Sequence, residues 1–161
     1  MDIIIIGCGK VGTTLAEQLV KEEHNVVMVD TSQERVQRVS EDIDAIKLVG
    51  NGASIAIQKE AGVETADLLI AVTGSDELNL LCCLIARKAG HCHTIARVRN
   101  PVYNREINFI KEQLGISMII NPEMAAAREA ARILYLPTAL EAHTFAHGQA
   151  EIIKFIIPEN N

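Results

Sequence analysis

Ile3-Ile4-Ile5-Ile6-Gly7-Cys8-Gly9-Lys10-Val11-Gly12 is the stretch that decides the fold. Four consecutive β-branched apolar residues read as a strand buried on both faces, which is the habit of a parallel sheet. The strand ends in Gly-x-Gly-x-x-Gly, and Val11, Leu15 and Leu19 then recur at helical spacing. The first glycine permits a tight turn, the second lets a pyrophosphate approach the backbone, and the third lets the helix pack on the strand. Free N–H groups and partial positive charge at the helix start favour the phosphates, and Lys10 adds a full charge within the loop. Asp30 closes the next apolar run, Val26-Val27-Met28-Val29. Its distance from Gly12 suits a carboxylate that accepts from two ribose hydroxyls. The same carboxylate repels a 2′-phosphate, so Asp30 argues against NADP.

Further apolar runs follow at Ala45–Val49, Leu68–Val72, Thr94–Ala96 and Met118–Ile120. Helical stripes lie between them: Leu78, Leu81, Cys82, Ile85 and Ala89, then Ile107, Ile110 and Leu114. Thr31-Ser32-Gln33-Glu34 reads as a capping box starting a helix straight after the second strand. Asn121-Pro122-Glu123 offers an N-cap, a first-position proline and an acid in the first turn of a helix running to about Leu134. Repeated β-α-β units give a Rossmann-like α/β fold, a doubly wound parallel sheet. From Leu136-Pro137 the pattern changes. Ala139–Phe145 and Glu151–Ile157 read as strands joined by a turn at His147-Gly148-Gln149. A lone hairpin is marginal in water, so the chain reads as part of something longer.

Ligands of open α/β sheets sit beyond the carboxyl ends of the strands, which makes the loops there candidates. Thr31 follows the acid. Gly50-Asn51-Gly52 either lets the backbone approach an adenine or is a plain turn. Thr73 and Gly74 are placed to contact ribose or phosphate, with Ser75 as a helix cap. Arg97 either donates to a phosphate or makes a surface ion pair. Cys8, at a helix start, reads as a small filler rather than a reactive thiol. His91-Cys92-His93 alternates across a strand and is not expected to bind a metal; nor are His143 and His147.

The 161 residues suit one domain with a short appendage. They are 48% hydrophobic and 22% charged but only 3% aromatic, so the core must come from Ile, Val, Leu and Ala. A net charge of −6 argues against a nucleic-acid partner. The start has no basic region and no signal peptide, and no apolar run is long enough for direct membrane insertion. Four cysteines, two of them adjacent, point to reduced thiols and a cytoplasmic location.

The glycine loop, Val29-Asp30, Gly50-Asn51-Gly52, Ala71-Val72-Thr73-Gly74-Ser75-Asp76-Glu77-Leu78-Asn79 and Ile95-Ala96-Arg97-Val98-Arg99-Asn100-Pro101 together resemble the Trk-type potassium uptake regulatory subunits (TrkA), which carry RCK or KTN nucleotide-binding domains. The resemblance implies an RCK/KTN domain over 1–134, with 135–161 a linker and the incomplete start of a C-terminal domain. It implies a cytoplasmic subunit, peripheral to the inner face of the membrane, that binds NAD(H) or ATP/ADP and gates a potassium-translocating membrane protein of the TrkH or KtrB kind. It also implies a homodimer, paired through the helix Met124–Leu134 and assembling into a larger ring, with Glu123 near the junction. The competing class is a small NAD-dependent oxidoreductase. No Tyr-x-x-x-Lys pair supports it: Tyr103 is followed four residues later by Ile107, and Tyr135 by Ala139. The expectation is therefore a protein that is not an enzyme.

Overall fold

The computed structural model describes residues 1–135, 139–145 and 150–155. They divide into two compact units, Met1–Asn121 and Pro122–Asn161. This division falls before the helix that the sequence reading grouped with the first domain.

The first unit is a six-stranded sheet of β1 (Asp2–Ile6), β2 (Asn25–Asp30), β3 (Ala45–Val49), β4 (Leu68–Ala71), β5 (His93–Arg97) and β6 (Met118–Ile120). All its pairings are parallel, and the order is β3-β2-β1-β4-β5-β6. Helices α1 (Lys10–Lys21), α2 (Gln33–Arg38), α3 (Ile55–Glu60), α4 (Asp76–Ala89), α5 (Pro101–Asn104) and α6 (Ile107–Leu114) form the crossovers. Central β1 explains its own composition. Ile4 and Ile6 join one core with Val63, Leu69, Cys82 and Ala86. Ile3 and Ile5 join the opposite core with Ala16, Val26, Met28 and Val36. Alternate side chains of a strand face opposite ways, so a strand covered on both sides is apolar throughout.

Two local expectations are corrected. The cap of α2 is Ser32, whose side chain accepts from the Arg35 N–H, so Thr31 does not cap. Glu34, the expected reciprocal partner, instead forms an ion pair with Arg38. On α4 the buried positions are Asp76, Asn79, Cys82, Cys83 and Ala86, while Leu81 is 46% exposed. The helix buries a polar edge at its start, which a purely apolar stripe does not register.

All four cysteines are buried and free. Burial pushes the Cys82 thiol up to about 12 and the Cys83 and Cys92 thiols upward as well. A neutral buried thiol neither ionises nor meets reagent. An aqueous disulfide reagent is therefore expected to leave the native chain largely unmodified and to titrate all four thiols in guanidinium chloride; rapid native labelling would contradict this packing.

In the second unit, α7 (Pro122–Tyr135) begins with its expected proline and carries Glu123 in the first turn. Strands β7 (Ala139–Phe145) and β8 (Ala150–Phe155) pair antiparallel, as the hairpin reading expects. The expected turn at His147-Gly148-Gln149 and the end of the second expected strand, Ile156-Ile157, lie outside the described residues. No helix among the described residues is long and apolar enough to cross a membrane.

Candidate functional site: a cleft at the sheet's switch point

Strand order reverses between β1 and β4, and their carboxyl ends open a cleft. It is lined by Gly7, Gly9, Asp30, Thr31, Arg35, Gly50, Gly52, Thr73, Gly74 and Ser75, with an apolar floor of Ile6, Val29, Val72 and Leu78. Splayed loops at a switch point are where ligands of such sheets bind.

Each glycine of the loop has a separate structural reason. Gly7 has φ +114°, a conformation that side chains rarely adopt. A Cβ on Gly12 would stand 1.9 Å from the Gly7 carbonyl oxygen, so only glycine lets α1 start so close to β1. A Cβ on Gly9 would meet nothing within 4 Å, because it would point into open space. Gly9 is also the N-cap of α1 and brings no side-chain acceptor, whereas Ser32 and Ser75 cap α2 and α4. The first N–H groups of α1 thus have no side chain competing for them.

Asp30, 7% exposed, is fixed by two backbone donors. Its Oδ2 accepts from the Cys8 N–H at 2.9 Å, and its Oδ1 accepts from the Ser32 N–H at 2.9 Å. The Arg35 Nε lies 3.3 Å from Oδ1. The acid and the glycine loop are therefore directly joined. The Cys8 side chain points the other way, into the core. Burial and then the Asp30 charge push its thiol up to about 11, against any activation by the helix start.

The opposite wall rests on Asn79, which is fully buried. Its Oδ1 accepts from the Thr73 N–H at 2.8 Å and from the Thr73 hydroxyl at 2.7 Å, while its Nδ2 donates to the Arg97 carbonyl at 2.9 Å. Asp76 Oδ2 accepts from the N–H groups of Arg99 and Asn100 at 2.8 and 2.7 Å. The α4 amino end is thus tied to the loops after both β4 and β5. Asn79→Leu keeps the volume but strands the Thr73 N–H and the Arg97 carbonyl. It is expected to cost about 2–4 kcal/mol in a denaturant melt; an unchanged midpoint would remove Asn79 from this role.

The cleft brings together Gly7, Gly9, Asp30, Thr31, Gly52, Thr73 and Gly74 from the residues expected from the sequence. Cys8, Lys10, Val11, Gly12, Asn51 and Arg97 lie outside its lining. Asn51 turns its side chain to the Ala53 N–H, and Gly52 is held tightly over Ile6, where a Cβ would come within 2.2 Å. Of Arg97, which ends β5, and Arg99, which follows it, Arg99 reaches the rim, donating to the Gly74 carbonyl at 2.5 Å. Arg35 and Asn79 are the additions. Arg35 had a legible signal, being in the first turn after the acid; Asn79 is legible only once α4 is placed. On β5's approach, Cys92 is buried and His93 exposed, so alternation separates them. Among the described residues no group of three or more His, Cys, Asp or Glu side chains could hold a metal ion.

The strand order, the glycine turn and the acid at the end of β2 define a Rossmann-type, dinucleotide-fold domain. The chain belongs to the TrkA-N domain family, which matches residues 3–122. It is 42% identical to the Trk system potassium uptake protein TrkA homolog of Archaeoglobus fulgidus, over 100% of this chain and 36% of that protein. With the Haemophilus influenzae Trk system potassium uptake protein TrkA, identity is 38% over 95% of this chain and 34% of the other. The chain thus spans about a third of the length of these relatives. The crystal structure of the TrkA-N domain of Escherichia coli inner membrane protein ybaL superposes with a TM-score of 0.71 at 26% identity, covering 82% of this chain and 95% of that one. The fold is shared with the GsuK channel bound to NAD, with a TM-score of 0.62 at 23% identity over 73% of this chain and 21% of that one. It is shared too with the Shewanella denitrificans Kef C-terminal domain in its AMP-bound form, with a TM-score of 0.65 at 21% identity over 82% and 80%.

Proposed function

We propose that this chain is the nucleotide-sensing part of a potassium uptake regulator. It binds an adenine nucleotide, NAD(H) or ATP/ADP, in the cleft, and through a larger assembly it gates a potassium-translocating membrane protein at the cytoplasmic face. The observation that carries this reading is the bond between the Cys8 N–H and Asp30 Oδ2. It sets a ribose acceptor and a phosphate cradle side by side in one rigid arrangement. The names of the relatives support the potassium system, and the NAD- and AMP-bound neighbours support an adenosine ligand.

In this reading Asp30 grips the ribose hydroxyls, and Gly7, Gly9 and the start of α1 face the first phosphate. Gly52, Thr73 and Gly74 complete the walls. Regulation then requires that the nucleotide bind one arrangement of subunits better than another, since a ligand shifts an equilibrium only by its differential affinity. Pairing of copies through α7 and closure into a ring would supply those arrangements. RCK/KTN character over 1–134, with 135–161 opening a further domain, belongs to the same proposal. The charged groups lining the cleft are Asp30 and Arg35, which face each other at one end. That arrangement suits recognition of a sugar better than turnover of a substrate.

Calorimetric titration of the chain with AMP, ADP, ATP, NAD and NADH tests the reading. Saturable one-site binding of several of them is expected, because they share the adenosine and its first phosphate. Heat changes indistinguishable from dilution for all five would overturn it.

A further inference from the structure

We propose that Arg35 governs how the cleft treats the 2′ position of a bound ribose: it competes with a free diol for Asp30 and receives a phosphate carried there. This rests on the nucleotide reading above, but not on which nucleotide is physiological.

A carboxylate offers about four lone-pair positions. On Asp30 two are used by the Cys8 and Ser32 N–H groups, which hold it in place. Two remain for a ribose diol. The Arg35 Nε, 3.3 Å from Oδ1, stands at one of them. Arg35 is half-exposed and lines the cleft, so its ion pair is water-screened and yields to a ligand. On α2 and β3 the other basic groups are engaged elsewhere: Arg38 pairs with Glu34, and the Lys47 Nζ donates to the Val39 and Ser40 carbonyls.

Asp30 alone would repel a 2′-phosphate. With Arg35 against it, the ribose end of the cleft carries no net charge. A guanidinium displaced from Asp30 presents a planar fork, which suits a phosphate's oxygens. The pair therefore tolerates both forms of the ribose, with Arg35 offsetting the repulsion that Asp30 alone would exert on a 2′-phosphate.

The experiment titrates the 161-residue chain and its Arg35→Gln variant with AMP and with adenosine 2′,5′-bisphosphate. In the unsubstituted chain the two affinities should lie within about tenfold of each other. In Arg35→Gln, AMP should bind about twofold to threefold tighter, because the competing cation is gone, while the bisphosphate weakens by at least about tenfold, the loss expected of one charge-assisted contact. Arg35→Lys should restore part of that loss. Equal changes for both ligands would mark a merely structural residue and overturn the proposal, as would no change in either. If the unsubstituted chain binds AMP but the bisphosphate more than about 100-fold less tightly, this inference fails and the nucleotide reading stands. If neither ligand binds, both fail.

Discussion

Asp30→Ala is expected to weaken AMP, ADP, ATP and NAD alike, by about 100-fold. Two hydrogen bonds from ribose hydroxyls to a carboxylate, at about 1.5 kcal/mol or more each, convert to that factor. The uniformity matters more than the size, because the adenosine ribose is common to all four. The substitution also removes the acceptor of the Cys8 and Ser32 N–H groups, so stability should fall by about 2–4 kcal/mol. Asp30→Asn, which keeps an acceptor oxygen and the side-chain volume, should fold better and still bind weakly. The two effects separate by titrating each variant well below its own melting temperature. Unchanged affinity in Asp30→Ala would remove the acid from the site; loss for NAD alone would mean that the cleft reads the nicotinamide half instead.

The glycine loop gives the second large effect, and it divides between two positions. Gly9 has φ −77° and ψ −177°, an extended conformation that β-branched residues adopt freely, and a Cβ there meets nothing. Gly9→Val should therefore melt within a few degrees of the parent chain and yet lose nucleotide binding by about 100-fold or more, because the isopropyl group fills the space where a phosphate would approach the backbone. Gly12→Ala should do the reverse damage. Its methyl would overlap the Gly7 carbonyl, forcing α1 off β1 at a cost of about 3 kcal/mol or more. Thermal melts and calorimetry on the two variants decide this. A Gly9→Val chain that binds normally would show that no phosphate lies over that residue.

Much of this architecture was legible because the physics is local. Ile3–Ile6 could only be a doubly covered strand, and the glycines that follow have one geometry compatible with a strand-to-helix turn. The same held for Asp30, whose place at the end of β2 follows from counting along the crossover. The rest depends on tertiary contacts. Thr31 and Ser32 are both competent caps, and the choice falls to Ser32 because Asp30 already accepts its backbone N–H. Leu81 fits an apolar stripe by spacing, yet α4 turns its buried edge toward Asn79, Cys82, Cys83 and Ala86. Arg97 and Arg99 flank one residue on the same segment, and periodicity does not say which reaches the cleft rim. The helix α3 is a six-residue element, too short to show a period. Gln58 within it, fully buried and donating to the Gly52 and Cys82 carbonyls, looks from the sequence like any surface glutamine.

Asn79 has one more implication. By gripping Thr73 with its oxygen and the Arg97 carbonyl with its nitrogen, it ties the ends of two neighbouring strands into a single unit. If a nucleotide binds as proposed, any shift of the Thr73 wall would be passed through Asn79 to the backbone leading into Arg99, Asn100 and α5. In the proposed sensor this linkage would act as a lever arm, carrying occupancy at one rim to the next with no loop needing to refold.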